Sequence, residues 1–149
     1  MKREINYRCG HGSEEQVYGP ISERERKVEW MESRLCPACY KSQQEQERQA
    51  ERERAASASI ENGLVPLMGS EKQVVWATTI RQKIYESLTK RFNPVPGQGH
   101  TPIVGVLNIE TMAKWWIDNR DVDGLAIMKK IAAEHPEECK EINEKVARG

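Results

Sequence analysis

Apolar positions are sparse through the first sixty residues and dense after residue 64. Residues 4–8 alternate polar and apolar as a short strand does, and Gln16-Val17-Tyr18 reads as its antiparallel return, closed by Gly19-Pro20. Ser22-Glu23-Arg24-Glu25 has the spacing of a capping box. It opens a helix to about residue 34, with Val28, Met31 and Leu35 on one face and Trp30 close by. Residues 41–59 favour helix yet lack an apolar face, while Glu45 with Arg48 and Glu51 with Arg54 pair at helical spacing. That pattern predicts a solvated, charged helical connector. Arg48, Arg52 and Arg54 do not read as phosphate contacts, because Glu47, Glu51 and Glu53 are interleaved with them.

Beyond the connector, Leu64, Val65, Leu67 and Met68 surround Pro66 as a segment expected to dock onto the helices that follow. Ser70-Glu71-Lys72-Gln73 is a second capping box. It begins a helix to about residue 91 whose Trp76, Ile80, Ile84 and Leu88 form a stripe expected in the core. Residues 92–105 hold three prolines and three glycines and predict a loop. Helices are expected over 110–119, 122–134 and 136–147, with Pro136 suited to a first turn. Trp115, Trp116, Ile117, Leu125, Ile127, Met128 and Ile131 supply apolar side chains for a small bundle.

The chemistry is concentrated near the start. Cys9-Gly10-His11-Gly12 and Cys36-Pro37-Ala38-Cys39 offer two ligand pairs separated by 24 residues. Zinc favours four thiolate and imidazole ligands in a tetrahedron, and structural sites are closed by the protein alone. Pro37 presets one turn, and Gly10 and Gly12 give the backbone freedom for the other. A redox Cys-x-x-Cys belongs at a helix start within a strand-helix-strand unit, and no such unit surrounds this one. A disulfide framework lacks both a signal peptide and further paired cysteines. His100, His135 and Cys139 are the remaining residues of suitable type, but they lie far along the chain. Cys9, His11, Cys36 and Cys39 are therefore the expected zinc ligands. The predicted fold is α+β, mostly α: a zinc-ribbon-like hairpin unit over 1–40, a charged helical connector over 41–59 and a helical bundle over 60–149.

Charge narrows the partners. The chain has 149 residues with 23 basic and 23 acidic, and the two signs also balance within 1–60 and within 61–149. A broadly basic footprint for nucleic acid is absent. No apolar run approaches a membrane span, and Met1-Lys2-Arg3-Glu4 is not followed by a hydrophobic stretch, so a cytoplasmic protein is expected.

Tyr7-Arg8-Cys9-Gly10-His11, Leu35-Cys36-Pro37-Ala38-Cys39-Tyr40, the segment from Gly69 through Trp76 to Ala77, and Ala113-Lys114-Trp115-Trp116-Ile117-Asp118-Asn119-Arg120 resemble small zinc-ribbon proteins of bacterial phages and mobile elements. The resemblance implies an accessory protein, in a group where some members bind nucleic acid or block host defence enzymes.

Enzyme chemistry finds little support in the spacing. A catalytic zinc keeps an open position, whereas four ligands close this one. The deaminase pattern fails, since Cys36 has no proline before it and His11 is followed by Gly12-Ser13. His100, in Gly-Gln-Gly-His-Thr, belongs to no complete phosphate-binding motif, and no small-molecule substrate is evident. The expected function is non-enzymatic binding of a protein, such as a nuclease or nucleoprotein complex. Trp115 and Trp116 point about 100° apart on one helix, so one of them is a potential exposed anchor, the favoured alternative being that both are half-buried between helices. The alternative is nucleic-acid binding by the ribbon, which requires Arg24, Arg26 and Lys27, with Arg3, Arg8 and Arg34, to gather on one face.

Overall fold

The computed structural model describes residues 1–92 and 100–148. In chain order they form β1 (Lys2–Asn6), β2 (Gly12–Gln16), α1 (Ile21–Glu32), α2 (Pro37–Glu61), α3 (Glu71–Phe92), α4 (His100–Ile109), α5 (Ala113–Asp118), α6 (Gly124–Glu134) and α7 (Pro136–Arg148). The architecture is α+β and mostly α, as the sequence pattern predicts. The chain divides into two compact units, Met1–Gln49 and Ala50–Gly149, and the division falls inside α2. Among the described residues, no helix is long and apolar enough to cross a membrane.

In the first unit β1 and β2 pair antiparallel, with Lys2 opposite Gln16 and Asn6 opposite Gly12. Both strands lie earlier than the alternation suggests, because residues 7–11 are taken up by a turn. The Tyr7 amide donates to the His11 carbonyl at 3.0 Å and the Gly10 amide to the Tyr7 carbonyl at 2.9 Å. Gly10 has φ +85°, a conformation that a side chain would strain. α1 starts one residue before the predicted cap: Pro20 holds the N-cap position with no side-chain bond, and Ser22 sits within the first turn. The unit's core is small. Ile5, Tyr7 and Cys36 are buried, and Cys9, Val28, Met31 and Cys39 pack against them. So few apolar groups cannot hold a unit of this size without a further constraint.

The second unit is a helical bundle. α3 packs on α4, α5 and α6, and α7 packs on α4 and α6. Its core gathers Leu64, Leu67, Ala77, Ile84, Leu88, Ile103, Val106, Leu107, Trp116, Ile127 and Ile131, with Trp115, Ile117, Leu125 and Met128 partly buried around them. The 64–68 segment docks by two side chains, Leu64 and Leu67, while Val65 and Met68 stay exposed. Backbone bonds complete the attachment: the Met68 amide donates to the Thr111 carbonyl at 2.7 Å, and the Ala113 amide to the Met68 carbonyl at 2.8 Å. The capping box at the start of α3 is formed on both sides, Ser70 N–H to Gln73 Oε1 at 3.1 Å and Gln73 N–H to Ser70 Oγ at 3.3 Å.

Three further expectations change. The loop over 92–105 falls partly on residues 93–99, outside the described residues, and its second part is helix α4. α4 carries Ile103, Val106 and Leu107 into the core, and Gly105 lets α7 approach so closely that an added Cβ would lie 3.1 Å from Ile142 Cγ2. Trp76 is not core but 48% exposed, with the Arg120 guanidinium 5.7 Å from its ring centroid. Finally, the stretch 41–59 is helical but not solvated throughout. Ala55 and Ser59 are buried, Ser59 Oγ donates to Gln82 Oε1 at 3.2 Å, and Lys83 lies 2.9 Å from Glu51.

Candidate metal centre and its surroundings

The four residues singled out by spacing converge. Cys9 and His11 come from the turn between β1 and β2; Cys36 directly precedes α2 and Cys39 lies in its first turn. One donor atom from each falls within 4.8 Å of all the others, an arrangement that can hold a metal ion. His11 Nδ1 lies 3.2 Å from Cys39 Sγ and 3.7 Å from Cys36 Sγ. A tetrahedral ion with metal–sulfur bonds near 2.3 Å and metal–nitrogen bonds near 2.0 Å has nitrogen–sulfur edges of about 3.5 Å. The two observed separations bracket that edge.

The backbone is arranged for anionic sulfur. The Cys36 amide donates to Cys9 Sγ at 3.4 Å, and the Cys39 amide donates to Cys36 Sγ at 3.4 Å. Amides of Cys36 and then His11 draw the Cys9 thiol down to about 6 from its ordinary 9.0. The Cys36 sulfur beside it, followed by burial and Cys9, pushes the Cys39 thiol up to about 11. Three sulfurs this close cannot all ionise unless a cation compensates them. That is the chemical test of the donor set, and the set fits a metal.

The turns are tied together beyond the ligands. The Arg8 amide donates to the Arg34 carbonyl at 2.9 Å, and the Tyr40 amide donates to the Cys36 carbonyl at 2.9 Å. Next to the centre lies a groove of about 640 Å³, lined by Tyr7, Arg8, Trp30, Met31, Leu35 and Tyr40 among others. Tyr7, Arg8, Leu35 and Tyr40 each stand within two residues of a cysteine of the four-donor cluster in the chain. Sequence reasoning missed the groove. Its signal was the run of aromatic, apolar and arginine residues flanking the ligands.

The other predicted site residues are dispersed. Trp116 is fully buried, its Nε1 donating to the Glu110 carbonyl at 3.0 Å, so it is a core residue and not an exposed anchor. Trp115 is half-buried, edge-on to Trp116, and donates through Nε1 to Glu134 Oε2 at 2.9 Å. The cations of α1 have different surroundings. Arg24 is half-buried with Nη1 at 3.4 Å from Met1 Sδ, and Lys27 Nζ donates to the Tyr18 carbonyl at 3.0 Å. Arg26 borders a shallow depression with Glu23, Lys27 and Trp30. Cys139 is buried in the bundle core, where burial and then Glu138 raise its thiol pKa. The His100 side chain lies outside the described residues.

His135 joins a second cluster that sequence spacing did not reveal. It lies with Glu110 and Glu134 so that one donor from each falls within 4.8 Å of the others. Both carboxylates have internal work, Glu110 accepting from the Met112 amide at 2.9 Å and Glu134 from Trp115. The first bond closes the α4–α5 connection and the second ties α5 to the end of α6.

Comparison with family models, with curated proteins and with solved structures yields no significant match to this chain.

Proposed function

We propose that the first unit is a zinc-stabilised binding module and that the protein acts by contact with another protein, without catalysis. The observation that carries this reading is the convergence of Cys9, His11, Cys36 and Cys39 into one four-donor cluster. Three thiolates and an imidazole are the ligand set that zinc takes in closed structural sites. Four protein donors leave no open position for a substrate or an activated water. Zinc at this site supplies the constraint that the small core of the unit lacks. Its bound state fixes the two turns from which the neighbouring surface is built.

The resemblance to small zinc-ribbon proteins of phages and mobile elements extends the reading to a cellular role. In its specific form, the protein engages a host defence nuclease, such as a CRISPR-type effector, and blocks it. Nucleic-acid binding through the ribbon is the weaker reading, because Arg24 and Lys27 are engaged with Met1 and Tyr18. A broad polyanion footprint needs many free cations on one face.

The test is affinity capture of the tagged, zinc-loaded chain from a bacterial host, with and without nuclease treatment, followed by plaque counts in hosts carrying an active effector. A stoichiometric protein that survives nuclease treatment, with restored plaque formation, supports the reading. Recovery of nucleic acid alone, lost as salt is raised, contradicts it.

A further inference from the structure

The groove beside the four-donor cluster combines exposed aromatic rings, an apolar floor and two arginines. Trp30 and Tyr40 are 53% and 56% exposed. The Arg34 guanidinium stacks 4.0 Å from the Trp30 ring centroid, and the Tyr40 hydroxyl accepts from Gln44 Nε2 at 2.8 Å, so both rings are held in place. Met31, Leu35 and Pro37 add aliphatic surface. The carboxylate of Glu15 is engaged by hydroxyls, accepting from Ser13 at 2.8 Å and from Tyr7 at 3.3 Å. Neither Arg8 nor Arg34 has a carboxylate partner among the described residues.

We infer that this groove binds a short extended segment of a partner protein that carries an aromatic or aliphatic anchor flanked by carboxylates. The anchor lies against Trp30, Tyr40 and the aliphatic floor. The flanking carboxylates meet Arg8 and Arg34, whose planar, multi-donor heads suit that group. Trp, Tyr and Arg are also the residue types in which interface hot spots are enriched. Charge decides between a peptide and a nucleic-acid strand. Residues 1–49 carry nine basic and nine acidic side chains. The Arg8 guanidinium and the Trp30-stacked Arg34 guanidinium, offset by the Glu15 carboxylate on the same lining, match one or two carboxylates but not a continuous row of phosphates.

The groove is also conditional on the metal. Arg8 precedes Cys9, Leu35 precedes Cys36 and Tyr40 follows Cys39. Loss of the ion releases the walls on which these side chains stand, so peptide binding is metal-dependent. The inference deepens the proposed protein-binding role and rests on it.

The experiment pans a library of random peptides on the zinc-loaded full chain, in parallel with Trp30→Ala and Arg34→Glu. Zinc content and circular dichroism are recorded for each variant, and Trp76→Ala in the bundle serves as the control. The expected result is enrichment of sequences with Asp or Glu beside an apolar anchor. A synthetic peptide of the enriched sequence should lose affinity by about tenfold or more in both groove variants, and keep it in Trp76→Ala. A labelled oligothymidine is tested on the same proteins. No enrichment, enrichment without acidic positions, equal binding by the groove variants, or oligothymidine binding lost in those variants would each overturn the inference. Repeating the affinity capture with Trp30→Ala separates the two claims: a partner still captured by that variant contradicts the groove and leaves the protein-binding role standing.

Discussion

The Arg8 amide and the Arg34 carbonyl are joined at 2.9 Å, so the two turns bearing the four donor residues are fastened by backbone beside a cluster that can hold a metal ion. The bond places Cys9, one residue after Arg8, against the Cys36 amide. Folding of the first unit and assembly of its donor set are therefore expected to be one event, the usual coupling in small metal-bound units.

Acid should undo that event selectively. A thiol whose pKa is lowered by folding, as Cys9 is from 9.0 to about 6, contributes stability that is fully present above the ordinary value. The contribution declines as pH falls and is gone below about 6. Protons and a metal ion compete for the same sulfurs, so metal release and loss of the first unit's structure are expected on acidification, with the bundle still folded. A zinc-responsive dye read alongside circular dichroism during acid titration checks this. Complete release already at neutral pH would contradict it.

The two adjacent tryptophans should behave unequally. Trp116→Ala removes a fully buried ring and strands the Glu110 carbonyl, and is expected to cost about 3–5 kcal/mol of bundle stability. Trp115→Ala loses half-buried contacts and the bond to Glu134, for about 1–2 kcal/mol. Urea unfolding of the two variants measures the difference.

Two serines that look alike in sequence also separate. Ser70→Ala breaks a capping box that is formed, at about 1 kcal/mol. Ser22→Ala should cost little, because α1 begins at Ile21 with no side-chain cap. Thermal unfolding of each variant, followed in its own unit, gives the comparison.

Arg81 is buried to 1% exposure, and burial draws its pKa down to about 10. Its Nη2 donates to the Val65 carbonyl, but Nε and Nη1 have no acceptor among the described residues. Removing two unsatisfied donors while keeping aliphatic bulk should be neutral or favourable. Arg81→Met is expected to leave stability unchanged or raise it by about 1–3 kcal/mol. A loss of several kcal/mol in urea unfolding would contradict this assignment.

The four-donor cluster and the mostly helical plan were legible because both depend on local spacing. Cys-x-His and Cys-x-x-Cys specify turns, and the Ser70–Gln73 box specifies a helix start within four residues. Trp76 misled because a strict spacing of four drifts by about 40° per step on a helix of 3.6 residues per turn. By the time the stripe reaches Leu88 in the core, Trp76 has rotated out of it. Helix α4 was hidden by Gly105 and Pro102, although a proline in a first turn is compatible with helix. The run Ile103, Val104, Val106, Leu107 and Ile109 was the better signal, since a helix apolar on most sides belongs inside a bundle. The clustering of Glu110, Glu134 and His135 depends on tertiary packing between α4 and α6 and has no local signature.

The central claim is that Cys9, His11, Cys36 and Cys39 hold one zinc ion that folds the first unit. Metal analysis with X-ray absorption at the zinc edge, on the intact chain and on Cys36→Ala, tests it most directly. The account predicts one zinc per chain in a shell of three sulfurs and one nitrogen. For the variant it predicts loss of the metal and of protection from hydrogen exchange in residues 1–49, with the bundle unchanged. A metal-free native chain, or a Cys36→Ala variant that keeps stoichiometric zinc, would contradict it.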